Sequence, residues 1–291
     1  MRKQSLRITG RLGALAFAIT GLLAGFLAAP AAAHSSGHLD YVAFGDSYSA
    51  GIGAGEAAPS QLYLDLDDPV LCFQASPGYP DILDYLPGVD LTGKAACAGW
   101  SAAMVPFQVQ IASNAGVLDD ETDLVTITAG GNDVDFAGLL RSCLHPSSLD
   151  LCITAVRNAE AVAETQVLAA LVNAYSAVRA KAPEATIIAL GYPHLFSPEF
   201  EGTTVITDEA ATVFNNGTDT LNKVIGKAAK QVSGTVYVDV TDEFEGHGIG
   251  SPKSWFVLDG SAASFHPTAT GYAFGYAAAL VREAVSAAAR S

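Results

Sequence analysis

Apolar residues along the chain gather into four short runs, "LDYVAF" (39–44), "TDLVTITAG" (122–130), "ATIIALGYP" (185–193) and "TVYVDV" (235–240). Each is rich in Val, Ile, Thr or Tyr, which marks strands. Between them the pattern changes to helical spacing. Residues 150–183 are Ala-rich with apolar positions recurring every three to four residues and stop at a proline; 207–232 form a second such stretch. A third, 266–290, opens with Pro267, which a first helical turn tolerates. Strands alternating with helices predict an α/β fold: a three-layer α/β/α sandwich around a central, mostly parallel sheet. In such sheets the ligand crevice lies beyond the carboxyl ends of the strands. Gly45-Asp46-Ser47 and Gly130-Gly131-Asn132-Asp133 both fall at such ends.

The amino terminus has a different character. Arg2, Lys3, Arg7 and Arg11 precede an uncharged stretch from Leu12 to Ala33 that ends in "APAAAHSS". A basic head, an apolar middle and an Ala31-x-Ala33 exit predict a secretory signal peptide at 1–33, cleaved after Ala33. Its glycines and small-residue exit argue against an uncleaved anchor, so no stable membrane insertion is expected after cleavage. Residues 34–291 then form one domain, with no linker or internal repeat to divide them. Loss of the four basic residues takes the net charge from −15 to −19. Such a surface favours solubility and repels nucleic acid and anionic membranes. A secreted, extracellular monomer is expected.

Cys72, Cys97, Cys143 and Cys152 all lie in the exported part, where thiols are usually oxidised. Three pairings are possible; the sequential one, Cys72–Cys97 with Cys143–Cys152, closes the shortest loops and is the one expected. No CxxC pair and no histidine at ligand spacing points to a metal. The acidic stretches 65–69 and 239–247 lack the glycine turn and spacing of an EF-hand and read as solvated loops. No metal or organic cofactor is expected.

A serine in a glycine-rich turn is either an ordinary turn residue or a nucleophile. As a nucleophile Ser47 needs a base within hydrogen-bond reach, because its own pKa is high. Of six histidines, His34 and His38 sit near the mature amino terminus, His145 lies between two cysteines, and His194 and His247 lie in loops without other chemistry. His266 precedes Pro267 at the start of the last long helical stretch and is the best candidate base. An oxyanion would need donors aimed at it. The Ser47 N–H, Gly99 in "ACAGWSA" and Asn132 in "GGND" are the candidates, although Asn132 alone would more often be a turn residue. Trp100, beside Gly99, either lines an acyl pocket or packs beneath the loop.

Taken together, "FGDSYSAG", "CAGWSA", "TAGGND" and "FHP" resemble the four blocks of the SGNH hydrolases, the GDSL lipase/esterase family, in order and across residues 40–275. The resemblance implies Ser47 as nucleophile, His266 as general base and acid, and an oxyanion hole built from Ser47, Gly99 and Asn132. The cysteine positions and the "GYP" and "GHGI" stretches are similar to secreted actinobacterial lipases of that family, which carry three disulfides. Here Gly250 stands where a fifth cysteine would be expected, leaving the loop between those stretches more mobile. Many members place an acid three residues before the histidine; that position is Ala263 here, and Asp259 is seven residues upstream. The expectation is a Ser-His dyad in which the Ala263 carbonyl accepts the His266 Nδ1–H and fixes its tautomer. The implied function is hydrolysis of a small-molecule or lipid ester through an acyl-serine. Rival readings are a polysaccharide deacetylase, a phospholipase, or a noncatalytic binding protein that retains the scaffold.

Overall fold

The computed structural model describes residues 38–66, 70–200 and 205–290. The expected signal peptide at 1–33, His34, and positions 67–69 of the first acidic stretch lie outside them. Five strands form the main sheet: β1 (Leu39–Gly45), β2 (Val89–Lys94), β3 (Leu124–Thr128), β4 (Thr186–Leu190) and β5 (Thr235–Val238). They lie in the order β2-β1-β3-β4-β5, and every neighbouring pair is parallel. All five residues of β3 are buried, as a central parallel strand covered on both faces requires. Four strands match the apolar runs. The fifth, β2, is "VDLTGK" at the sheet edge with only Val89 buried, so its apolar signal is weak.

Among the described residues, the α-helices of six residues or more are α1 (Tyr79–Asp84), α2 (Val105–Asn114), α3 (Phe136–Cys143), α4 (Leu149–Val162), α5 (Leu168–Lys181), α6 (Asp208–Ala229) and α7 (Ala277–Arg290). A π-turn at Ala163–Val167 joins α4 directly to α5, so the expected helix at 150–183 is continuous but locally widened. One helical layer combines α2, α4, α5 and α6, with α3 resting on α4; α1 and α7 pack together in the other. The last helical stretch begins later than expected. Thr268 caps it, its hydroxyl accepting the Gly271 N–H at 3.3 Å. His266 and Pro267 instead precede the helix, and Pro267 bridges antiparallel to Phe256.

At the carboxyl rim, β1 turns sharply against β3. Gly45 has φ +116°, and a Cβ there would stand 2.0 Å from the Thr128 carbonyl oxygen, so only glycine fits. The Asp46 N–H donates to that same oxygen at 2.9 Å. On the other side of Gly45, buried Gln108 of α2 completes the backbone pairing. It accepts the Gly45 N–H at 2.8 Å and donates to the Gly45 carbonyl at 2.7 Å.

Both disulfides take the sequential pairing, Cys72–Cys97 and Cys143–Cys152. The "GYP" and "GHGI" regions, which lack a cysteine at Gly250, join through their backbones: Ile249 donates to the Leu195 carbonyl and Ser197 to that of Ile249. In the second acidic stretch, Arg282 of α7 reaches Asp242 at 3.3 Å and Glu243 at 3.0 Å, so those carboxylates are engaged by a cation of the chain itself. The Cys72–Cys97 bond closes a 25-residue separation. Replacing both cysteines by serine should cost about 3 kcal/mol of stability, measured by denaturant unfolding without reductant against the parent chain.

Candidate active site

Ser47 is the first residue of the turn that follows Gly45-Asp46, and its side chain is 8% exposed. Its Oγ lies 2.8 Å from His266 Nε2, although 219 positions separate the two residues in sequence. Nδ1 of His266 lies 3.2 Å from the Ala263 carbonyl oxygen and 3.2 Å from that of Ser264. Carbonyls only accept, so Nδ1 carries the proton and Nε2 presents its lone pair to the serine hydroxyl. Burial lowers the His266 pKa below its usual value, and the two carbonyls oppose that effect by favouring the charged ring. A neutral imidazole so placed can take the hydroxyl proton.

The segment that carries His266 is held on both sides. Phe265 N–H donates to the Val257 carbonyl at 2.8 Å, Val257 N–H to that of His266 at 2.9 Å, and Thr268 N–H to that of Trp255 at 2.7 Å. Between these bonds Phe265 adopts φ +69°, a conformation that is costly for a side-chain-bearing residue. The Tyr48 hydroxyl donates to the Phe265 carbonyl at 3.1 Å, and its ring lies 5.5 Å from that of His266. Asp259 is absent from this arrangement. It is exposed, and its carboxylate accepts from Ser261 N–H at 2.9 Å and Ser264 Oγ at 3.1 Å within its own loop.

Gly99 and Asn132 line the same cavity as Ser47 and His266. Gly99 has φ +80° with open space where a Cβ would be, so its backbone conformation rather than crowding calls for glycine. Among the described residues, neither the Ser47 nor the Gly99 N–H donates within the chain. Asn132 Nδ2 donates one hydrogen to the Trp100 carbonyl at 2.8 Å, which fixes the amide and leaves its second hydrogen available. The Trp100 ring lies outside the cavity lining. It packs edge-on to Tyr63 and stacks on Phe107, so it packs beneath the loop.

Behind these polar groups the cavity runs to about 490 Å³ between α3, α4 and α6. Phe136 and Leu140 of α3, Val156 of α4, and Phe214 and Leu221 of α6 supply its apolar walls. Ala163 of the π-turn also faces it, and Glu160 adds a carboxylate that accepts from Thr220 Oγ1 at 2.8 Å. Ser47 and His266 stand at one margin of a space of the size and polarity of a small-molecule site.

Several residues that shape the site are not singled out by the sequence pattern. Asp46 is 2% exposed, and burial pushes its pKa up to about 6. Hydrogen bonds from Tyr192, Thr128 and the Tyr48 N–H pull the other way. Gln108 sits unannounced on the buried face of α2. Tyr192 lies in the "GYP" stretch, where the only sequence signal is an aromatic residue at a strand's carboxyl end.

The sequence profile of the GDSL-like lipase/acylhydrolase family matches residues 43–274. Lipase 1 of Streptomyces coelicolor (strain ATCC BAA-471 / A3(2) / M145) is 31% identical over 278 residues, covering 93% of this chain and 96% of that protein. The lipase of Streptomyces rimosus is 31% identical over 239 residues, covering 81% of this chain and 84% of the relative. Among solved structures, the extracellular lipase of Streptomyces rimosus superposes with a TM-score of 0.71 at 30% identity, covering 83% of this chain and 98% of the other. Phospholipase A1 of Streptomyces albidoflavus NA297 gives 0.68 at 35% identity, covering 82% and 97%.

The lowered His266 pKa sets the acid limit of any reaction that uses the ring as a base. A depressed value keeps the imidazole neutral to lower pH, so the acid limb of kcat/KM on a soluble ester should fall below pH 6.5, the ring's usual value (about 6.5). A pH-rate profile from about 4.5 to 8 measures this. Asp259→Asn should keep kcat within about 2-fold of the parent, whereas loss of a working triad aspartate costs about 10⁴-fold; steady-state assays on the purified variant distinguish the two.

Proposed function

Because the chain belongs to the GDSL-like lipase/acylhydrolase family and is a serine ester hydrolase, we propose that it cleaves lipid acyl esters through an acyl-Ser47 intermediate outside the cell. The observation that carries this reading is the 2.8 Å contact between Ser47 Oγ and His266 Nε2 at the margin of the apolar cavity. The acyl chain lies among Phe136, Val156, Phe214 and Leu221, with its carbonyl carbon against Ser47. His266 Nε2 takes the hydroxyl proton as Oγ bonds to that carbon, and the carbonyl oxygen becomes an oxyanion. The Ser47 and Gly99 N–H groups and Asn132 Nδ2 donate to it. As the carbon–oxygen bond to the alcohol breaks, His266 returns the proton to the leaving oxygen. Water then repeats the sequence on the acyl-serine, releasing the acid and restoring the hydroxyl.

No carboxylate contacts His266 in this scheme. The Ala263 and Ser264 carbonyls hold the Nδ1 proton, which fixes the tautomer and stabilises the imidazolium through two dipoles in place of one charge. Glycerides and diacyl phospholipids both present the ester this geometry suits, and the first is favoured by the likeness to several lipases. A polysaccharide acetate is disfavoured, since an acetyl group would leave most of the apolar cavity unfilled. Export is supported by two disulfides and by the similarity to a lipase described as extracellular. The single domain at 34–291 is read as a monomer after signal cleavage.

Hydrolysis of p-nitrophenyl esters from acetyl to palmitoyl tests the proposal. Ser47→Ala should lower kcat by at least about 10³-fold and abolish labelling by a fluorophosphonate probe. Asn132→Ala should lower kcat by about 10²-fold or more with a smaller change in KM. Longer acyl chains should be preferred to acetyl; a parent chain that neither labels nor turns over any ester would refute the reading.

A further inference from the structure

We propose that Tyr192 is a positioning residue that sets the Ser47 turn and the Gly131-Asn132 turn in fixed relation, so that hydroxyl and oxyanion donors face one carbonyl. The inference rests on the ester-hydrolase reading above and adds a residue outside its four motif blocks. Tyr192 follows β4, on a third segment of the rim. Its hydroxyl donates to Asp46 Oδ2, on the residue before Ser47. The same oxygen accepts the Gly131 N–H at 3.2 Å, on the residue before Asn132. One phenol oxygen therefore links the residues that immediately precede the two functional side chains.

The phenol is itself held from behind. Asn222 of α6, only 4% exposed, accepts the Tyr192 N–H at 2.8 Å and donates to its carbonyl at 2.8 Å, a two-point grip on the backbone. The Tyr276 hydroxyl donates to the Gly191 carbonyl at 3.0 Å, fixing the preceding peptide. Tyr48 packs edge-on against the Tyr192 ring with centroids 5.3 Å apart, and Tyr48 also braces the His266 segment through Phe265. The phenol can rotate little without losing a hydrogen bond at one end or ring packing at the other. A Cβ placed on Gly131 would stand 3.4 Å from the Tyr192 ring, so the ring lies directly beside the turn that carries Asn132.

Tyr192→Phe keeps the ring and its packing and removes only the hydroxyl. Since misplacement of a reacting group by about 1 Å is worth up to about 10²-fold, kcat should fall about 10-fold while KM stays within about 2-fold. Asp46 would also lose a hydrogen bond to its charged form, which raises its own pKa, while the acid limb of kcat/KM, set by His266, should stay in place. The titratable groups facing Asp46 are Tyr48 and Tyr192, with His266 beyond Ser47, Asp133 in the neighbouring turn, and Tyr79, Tyr272 and Tyr276 further out. Burial holds these phenols neutral, and of them only Tyr192 changes in the variant.

Assays are normalised to the fraction of Ser47 labelled by fluorophosphonate. If the parent enzyme neither labels nor turns over, the ester-hydrolase reading fails, whatever Tyr192 does. If the parent is active, a normalised kcat for Tyr192→Phe within about 2-fold of it, or a loss of kcat/KM that falls on KM and not on kcat, overturns the role of Tyr192 alone. The Asp46→Asn variant and the double variant keep the test decisive should the single replacement fold poorly. Residues acting through one link are non-additive, so the double variant should lose no more than about 2-fold beyond the more damaged single. Additive losses would overturn the inference.

Discussion

The site depends on the closure of β1 onto β3 around Thr128. That threonine is fully buried and engages the Ser47 turn through every polar atom it has. Its carbonyl accepts the Asp46 N–H, its amide donates to Ser49 Oγ at 3.0 Å, and its hydroxyl donates to Asp46 Oδ1 at 2.8 Å while accepting the Ser49 N–H at 2.9 Å. Two parallel strands are thus joined beyond their last ladder bond by a side-chain knot that brackets Ser47 from both sides. Buried polar networks of this kind fix geometry when every member is satisfied and are costly when one is missing. The serine is consequently held by its neighbours, leaving its own hydroxyl committed to His266 alone.

From this knot the other parts of the rim take their places. Asp46 reaches Tyr192, Tyr192 reaches Gly131, and Tyr48 reaches the carbonyl of Phe265. Three loops that follow different strands, and a fourth near the carboxyl terminus, are connected by hydrogen bonds through tyrosine hydroxyls. Tyrosine suits this use because a rigid ring fills space while its tip supplies a donor and an acceptor. The strained backbone at Phe265 persists in this setting because backbone pairing to Val257 and the Tyr48 hydroxyl constrain it from two directions.

Much of this was legible in the sequence where local chemistry dictates structure. The runs that became β1, β3, β4 and β5 carry the β-branched composition of buried parallel strands, and Gly45 and Asn132 stand at strand ends where backbone freedom and amide donors are needed, whereas Gly99 was legible only through its motif block. The edge strand β2 was not legible, because a half-exposed strand need not be apolar. The start of the last helix was misplaced because Pro267 is compatible with a first turn, yet the Thr268 hydroxyl supplies the cap and the proline goes to a bridge with Phe256. Gln108, Tyr192 and Asn222 were invisible for a common reason: each acts on backbone groups remote in sequence, and nothing near them in the chain announces a partner.

The π-turn at Ala163–Val167 governs more than the shape of one helix. A π-turn is a one-residue insertion absorbed within a helix, and each residue of an α-helix turns the chain by about 100°. The widened turn therefore keeps two helical faces in phase although it holds one residue more than a regular turn. Val156 and Ala159 before it, and Ala163 within it, line the cavity beside Ser47, while Leu171, Ala174 and Val178 after it are buried. Deleting one residue there would restore the regular pitch and leave both faces in place, changing only the wall that Ala163 presents to the cavity. In evolutionary terms, a single codon gained or lost at this turn reshapes the cavity at one point while the rest of the helix keeps its packing.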